Sequence, residues 1–245
     1  MGRVDFDELL AEAAAVPLEG WDFSWFDGRA TEERPSWRYA DRVAERLRTA
    51  SAALDLQTGG GEVFSYAIGK APGQRRLVAT EAWQPEVAAR NLEALVVRAD
   101  DHLPFLDATF DLVVSRHPVS TPWTEIARVL RPGGIFLSQQ IGDGSNRELS
   151  EAMLGPLPPP ARRNPGRLAE AAGLELLDVR AERLRAEFLD VAAVAYFLRK
   201  VIWTVPDFTI EKYRDRLRAV HEEISVKGMF VSYATRVLIE ARRWP

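Results

Sequence analysis

Apolar residues fall in short runs along the chain, separated by stretches whose apolar spacing is helical. Four runs rich in Leu and Val read as strands: Ala52–Leu56, Arg76–Thr80, Leu95–Arg98 and Asp111–Ser115. A fifth, Gly134–Ile141 (GIFLSQQI), follows the turn signal Pro132-Gly133-Gly134. Segments of helical character lie between them, notably Pro85–Ala94 and Trp123–Val129. Strand alternating with helix predicts an α/β fold, a parallel sheet covered on both faces.

Around this centre the pattern is looser. Residues 1 to about 50 carry the aromatic clusters Trp21–Phe26 and Pro35–Tyr39 and read as an N-terminal helical cover. The proline-rich run GPLPPPARRNP, Gly155–Pro165, predicts a loop before a helix at Arg167–Ala172. A sixth strand fits Leu174–Ala181. Helices near Phe188–Ile202 and Ile210–Ile224 form a helical insertion over about 182–227, on the acceptor side of the site, and a last strand fits Phe230–Glu240. At 245 residues the expectation is one domain, 1–245.

Composition narrows the function. Hydrophobic residues make up 47% and charged residues 28%, the balance of an ordinary globular protein. The formal charge of -4 supplies no global field to gather polyanions, so nucleic acid is not an expected partner. With no cysteine, the chain has no disulfide, thiolate metal site or cysteine nucleophile. Acids at Asp5, Asp7 and Glu12 do not fit a secretory leader, and no apolar run reaches the roughly 18 residues that span a bilayer. A cytoplasmic protein without membrane contact is expected.

The chemistry begins where Ala53-Leu54-Asp55-Leu56-Gln57-Thr58 runs into Gly59-Gly60-Gly61. Glycines at a strand end let a ligand approach the backbone closely. A dinucleotide fingerprint fails, because position 64 is Phe64 and an earlier start meets Gln57 and Glu62 where glycines are needed. A phosphate loop fails as well, since Gly69-Lys70 is followed by Ala71. What remains suits a ligand bearing an amino acid and a nucleoside but no phosphate. Glu81, 22 residues beyond Gly59 at the end of RLVATE, can accept from both ribose hydroxyls. Ala82 follows it, and Trp83 offers a face to adenine or a core anchor. Asp100, in Asp100-Asp101-His102-Leu103-Pro104-Phe105, can accept from the adenine amino group.

Taken in order, LDLQTGGGE, VATEAW, VRADDHLPF with FDLVVSRH, and IARVLRPGGIFLSQQ resemble the successive motifs of class I S-adenosylmethionine-dependent methyltransferases, particularly the ubiquinone/menaquinone-methyltransferase-like branch. The resemblance is close over residues 50 to 142. It implies a Rossmann-like three-layer sandwich with a seven-stranded, mostly parallel sheet in order 3-2-1-4-5-7-6, the last strand antiparallel. It also implies S-adenosyl-L-methionine as cofactor. Asp55, Gly59 and Gly61 would form the cofactor loop, Glu81 would hold the ribose, and Asp100 with the backbone of Asp101 would meet adenine. Gln57 stands where the family has its first glycine, and either narrows the methionine end of the site or places an amide there.

Methyl transfer is an in-line displacement that needs alignment and, for some acceptors, removal of a proton. His117, just past the fourth strand, is the candidate base or a positioning group. Arg116 and Arg29 are candidates for the cofactor carboxylate. Gln139 or Gln140 would face the acceptor, with Trp25, Trp37, Tyr39, Tyr196, Trp203 and Phe208 as candidate pocket walls. The motif of exocyclic base methylation is absent, and no carboxylate cluster suggests a metal. The expected acceptor is a small organic molecule with a hydroxyl or amine. An RNA-base methyltransferase and a non-catalytic S-adenosylmethionine-binding protein of the same fold are the alternatives. Residues 1 to about 45 would either order over bound ligands or form a fixed wall.

Overall fold

In the computed structural model, residues 5–18, 23–82, 88–89, 91–99, 102–161 and 163–244 are described. The parallel strands β2 (Ala52–Leu56), β3 (Arg76–Thr80), β4 (Leu95–Val97), β5 (Phe110–Arg116) and β6 (Leu130–Ile141) form the centre of the sheet, numbered after a short N-terminal β1 (Ala30–Glu32). Every residue of β2 is buried, as a central strand covered on both faces requires. Side chains alternate between the faces. Ala53, Leu112, Val114 and Leu137 join one apolar cluster, while Leu54, Leu56, Val113 and Phe136 join another. The result is a three-layer sandwich.

Two long strands complete it, β7 (Leu174–Phe188) and β8 (Phe230–Arg243), and β8 runs antiparallel to β6 from Ile135↔Arg242 to Ile141↔Arg236. Among the described residues the sheet has eight strands, in order β1-β7-β8-β6-β5-β2-β3-β4. From the β4 end this is the expected 3-2-1-4-5-7-6 order with one strand added. The addition is β1, three residues paired antiparallel with the end of β7 (Ala30↔Phe188) and too short to show a period. The sixth strand was expected to stop at Ala181. It continues to Phe188 because Leu184, Ala186 and Phe188 alternate inward between Arg183, Arg185 and Glu187.

Helices α1 (Phe6–Ala15) and α2 (Tyr39–Leu47) bury one face each, Phe6, Leu9, Leu10 and Ala13 in the first and Tyr39, Val43, Ala44 and Leu47 in the second. Helix α3 (Glu62–Lys70) follows the glycine loop and α4 (Trp123–Val129) leads into β6. Helix α5 (Arg147–Leu154) precedes the proline-rich run. Pro165, the last residue of that run, opens α6 (Pro165–Ala171) at N1, where its missing N–H costs nothing, and the side chain of Asn164 caps the backbone N–H of Arg167 at 3.1 Å. Helices α7 (Val191–Lys200) and α8 (Arg214–Lys227) lie within residues 182–227, where the sequence suggests a helical insertion, but 182–188 of that span belong to β7. The helix expected over Pro85–Ala94 lies in part outside the described residues.

The contacts divide the chain into two compact units. One comprises residues 1–34, 142–161 and 183–235, the other 35–141, 162–182 and 236–245. The first has its own core, in which Phe6, Leu9 and Leu10 of α1 cluster with Val191–Leu198 of α7, Leu217 and Val220 of α8, and Phe230. The second contains the glycine loop and both sheet faces described above. No described helix is long and apolar enough to cross a membrane.

Candidate cofactor and acceptor site

At the carboxyl end of β2 the chain leaves the sheet through two left-handed residues, Gln57 (φ 53) and Gly59 (φ 63), and Gly61 (φ 84) then starts α3. Strand β3 holds this exit. The backbone N–H of Gln57 donates to Thr80 Oγ1 at 3.2 Å, and that of Thr58 donates to the Thr80 carbonyl at 2.9 Å. Gly61 has to be glycine twice over, because a Cβ there would also lie 2.7 Å from Leu92 Cγ.

Two acids converge on the loop. Glu81 Oε2 accepts from the Gly59 N–H at 2.7 Å, and Asp55 Oδ2 accepts from Thr58 Oγ1 at 2.6 Å. Both carboxylates are buried. Burial pushes Asp55 up to about 7; the hydroxyl of Thr58 opposes this, the charge of Glu81 adds to it, and Arg116 opposes it more weakly. Tyr39, at the start of α2, donates to the Leu137 carbonyl at 3.3 Å, and burial with the charge of Asp55 raises its phenol well above the usual value. Two buried acids at one loop favour a cationic ligand.

Gln57 does not leave its amide open to a ligand. Its Nε2 donates to the Ser120 carbonyl at 2.9 Å and its Oε1 accepts from the Val119 N–H at 2.7 Å. A left-handed non-glycine residue costs about 1–2 kcal/mol. Two hydrogen bonds at about 1 kcal/mol each offset that cost.

On the other side of β5, three donors and acceptors form a chain. Trp37 Nε1 donates to Gln139 Oε1 at 2.7 Å, and Gln139 Nε2 lies 3.0 Å from His117 Nε2. An indole N–H only donates, so the Gln139 oxygen must face Trp37 and its NH₂ must face His117. His117 Nε2 is therefore an acceptor, and in the neutral ring the proton sits on Nδ1. Burial, then the charges of Arg116 and Arg236, lower the imidazole to about 2. The sequence offers His117 as a base or as a positioning group. Here its basic nitrogen is already engaged and its proton affinity is low, which suits a neutral positioning group.

The remaining expected residues are spread more widely. Arg116 ends β5, exposed, and its charge acts on Asp55, Tyr39 and His117. Ala82 follows Glu81, and its carbonyl accepts from Arg98 at 2.8 Å. Gln140 donates to Thr121 Oγ1 at 2.9 Å. Trp83, Asp100 and Asp101 lie outside the described residues. Tyr196 and Trp203 belong to the other unit, with Trp25 and Phe208. There Tyr196 is buried edge-on to Trp25 at 4.8 Å and accepts from Lys200 Nζ at 3.2 Å, while Trp203 is half exposed. Arg29 is committed in that unit too, bonded to Glu12 at 2.6 Å, paired with Asp190 at 3.4 Å and lying over Trp25. Thr58 and Thr80 were not anticipated. No sequence signal separates them from other strand-end threonines.

A mostly parallel sheet in this order, with a glycine loop and paired acids at the carboxyl ends of its central strands, defines the Rossmann-like fold of class I methyltransferases. Residues 54–138, from β2 through most of β6, match the family model of a methyltransferase domain. Among solved structures, a Bacillus halodurans C-125 protein assigned as a methyltransferase is similar to it, with TM-score 0.58, 18% identity and coverage of 84% of this chain and 99% of that one. A Haemonchus contortus phosphoethanolamine N-methyltransferase, in complex with phosphomonomethylethanolamine and S-adenosylhomocysteine, is similar at TM-score 0.51 and 15% identity, covering 85% of this chain and 53% of that one. A curated relative, the human mitochondrial arginine-hydroxylase NDUFAF5, is 30% identical over 128 residues. That match takes in 48% of this chain and spans about a third, 36%, of the relative's length.

Proposed function

We propose that the protein is an S-adenosylmethionine-dependent methyltransferase acting on a small organic acceptor with a hydroxyl or amine. The observation that carries this is the junction of the glycine loop with two buried carboxylates, Glu81 on the Gly59 N–H and Asp55 on Thr58. The donor set fits the cofactor, because a cationic ligand without phosphate relieves the mutual repulsion of Asp55 and Glu81, where a pyrophosphate would add to it. Asp55, Gly59 and Gly61 would hold its amino-acid end and Glu81 its ribose. Ala82, Trp83, Asp100 and Asp101 are assigned to its adenine end by the family resemblance. Arg116 is the candidate partner for its carboxylate.

When bound, the cofactor supplies an electrophilic methyl group on a sulfonium. The chain's contribution is alignment. Gln139 and Trp37 fix the His117 ring in one tautomer, so that its Nδ1–H is a donor and not a base. A hydroxyl or amine acceptor then loses its proton to another group or to solvent. Gln139 remains a proposed acceptor contact, and Tyr196 and Trp203 are kept as acceptor candidates on their aromatic character. A cytoplasmic setting, the absence of nucleic acid as partner and a place in the ubiquinone/menaquinone-like branch belong to the same proposal. The net charge of -4 supports the second of these.

Calorimetry with S-adenosylmethionine and S-adenosylhomocysteine tests the reading. Both should bind, and Glu81→Ala should weaken binding by about tenfold or more, since the ribose loses a charged acceptor worth about 1.5–3 kcal/mol. No heat with either ligand at millimolar concentration would sink it. The name of the human relative favours a second reading, in which the same domain binds the cofactor and does other chemistry. Mass spectrometry of turnover mixtures separates the two, because methyl transfer adds one methyl group to the acceptor.

A further inference from the structure

The segment after β5, His117–Thr121, is held by three side-chain amides. Gln139 lies against the His117 ring and Gln140 donates to Thr121 Oγ1, and both come from β6, the neighbour of β5. The third is Gln57, which comes from the loop after β2 and takes both the Val119 N–H and the Ser120 carbonyl. Gln57 is therefore where the cofactor loop and the loop beyond β5 touch through specific bonds. Its own backbone is pinned from the far side by Thr80 of β3. The side chain of Val119 is almost fully exposed, so its own packing does not hold that residue in place. The amide of Gln57 does.

We propose that Gln57 is a positioning residue that latches the loop beyond β5 to the cofactor loop, so that filling the cofactor site orders residues 117–121 before an acceptor arrives. This rests on the cofactor reading above. A glycine at position 57 would adopt the left-handed conformation without strain and would remove the side-chain bonds to the Val119 N–H and the Ser120 carbonyl. The side chain accounts for the departure from the family's glycine by what it holds, not by what it offers a ligand.

Hydrogen exchange over residues 117–123, with and without S-adenosylhomocysteine, is the test, run on the whole chain and on Gln57→Gly and Gln57→Met. In the native chain the segment should exchange slowly and slow further, at least threefold, when ligand binds. In Gln57→Gly and in the near-isosteric Gln57→Met it should exchange at least tenfold faster and lose the response to ligand, while ligand affinity changes less than tenfold. Gln57→Glu adds a pH readout: its carboxylate cannot donate to Ser120 until protonated, so protection, corrected for intrinsic rates, should return on acidification. If the native chain binds no ligand, the cofactor reading fails. If ligand binds and the segment exchanges alike in native and variant chains, the latch fails and the cofactor reading stands.

Discussion

Asp55 carries the most direct pH prediction. Its carboxyl is raised from 3.8 to about 7 in the folded chain, chiefly by burial. The folded state thus holds a proton that the unfolded state has lost between those values. Its contribution to stability is complete below about pH 4 and is lost as pH rises through about 7. At roughly 1.4 kcal/mol per unit, the loss is on the order of a few kcal/mol. Asp111 and Glu125, both lowered, act with the opposite sign at the acid end, so the quantity to measure is a difference. Urea unfolding from pH 4 to 8 should show the native chain losing ground to Asp55→Asn as pH rises. Parallel curves would mean that Asp55 is ionised throughout. The ring of His117 gives a second prediction. Nitrogen NMR should find Nδ1 protonated, Nε2 bare and no titration down to pH 4. Trp37→Phe, which leaves the Gln139 oxygen unsatisfied, should cost about 1–3 kcal/mol and release that tautomer. A protonated Nε2 in the native chain would contradict the amide chain from Trp37. Sequence showed where these residues fall but not what they hold: nothing in Ser-Arg-His-Pro says that Gln139, 22 residues on, will occupy the imidazole.

Elements were legible where a period was clean. Strands β2 and β3 and helix α4 follow the expected bounds, since each is a short apolar run or a helical repeat between turn signals. Periodicity ends the sixth strand at Ala181, short of the true end of β7 at Phe188, because Arg180–Arg185 is dense in charge and its inward residues are few. The order of the sheet came from the resemblance, since periodicity alone cannot order parallel strands. At this scale the N-terminal segment divides. Trp37 and Tyr39 are buried and bonded to Gln139 and to the Leu137 carbonyl, and α2 packs its apolar face with Ala53, Leu112 and Leu137. A lid would need to release all of these contacts. The amides of residues 40–47 should therefore exchange slowly in the free protein and hardly respond to S-adenosylhomocysteine. Fast exchange that slows on binding would restore the lid for this stretch.

At the scale of the whole chain, the two units share two strands. Residues 174–182 of β7 lie in one unit and 183–188 in the other, and β8 passes between them at Thr235 and Arg236 without a break. A linker can fray on its own, whereas a strand crossing the boundary loses backbone partners on one side when the other unfolds. The expected single domain, 1–245, thus becomes a proposal about cooperativity. Scanning calorimetry should show one transition with matching calorimetric and van't Hoff enthalpies. S-adenosylhomocysteine at a hundred times its dissociation constant should stabilise that single transition by about 2.7 kcal/mol, although every loop residue assigned to it lies in one unit. Two transitions, with the ligand moving only one, would show that the crossing strands do not couple the units and that each melts by itself.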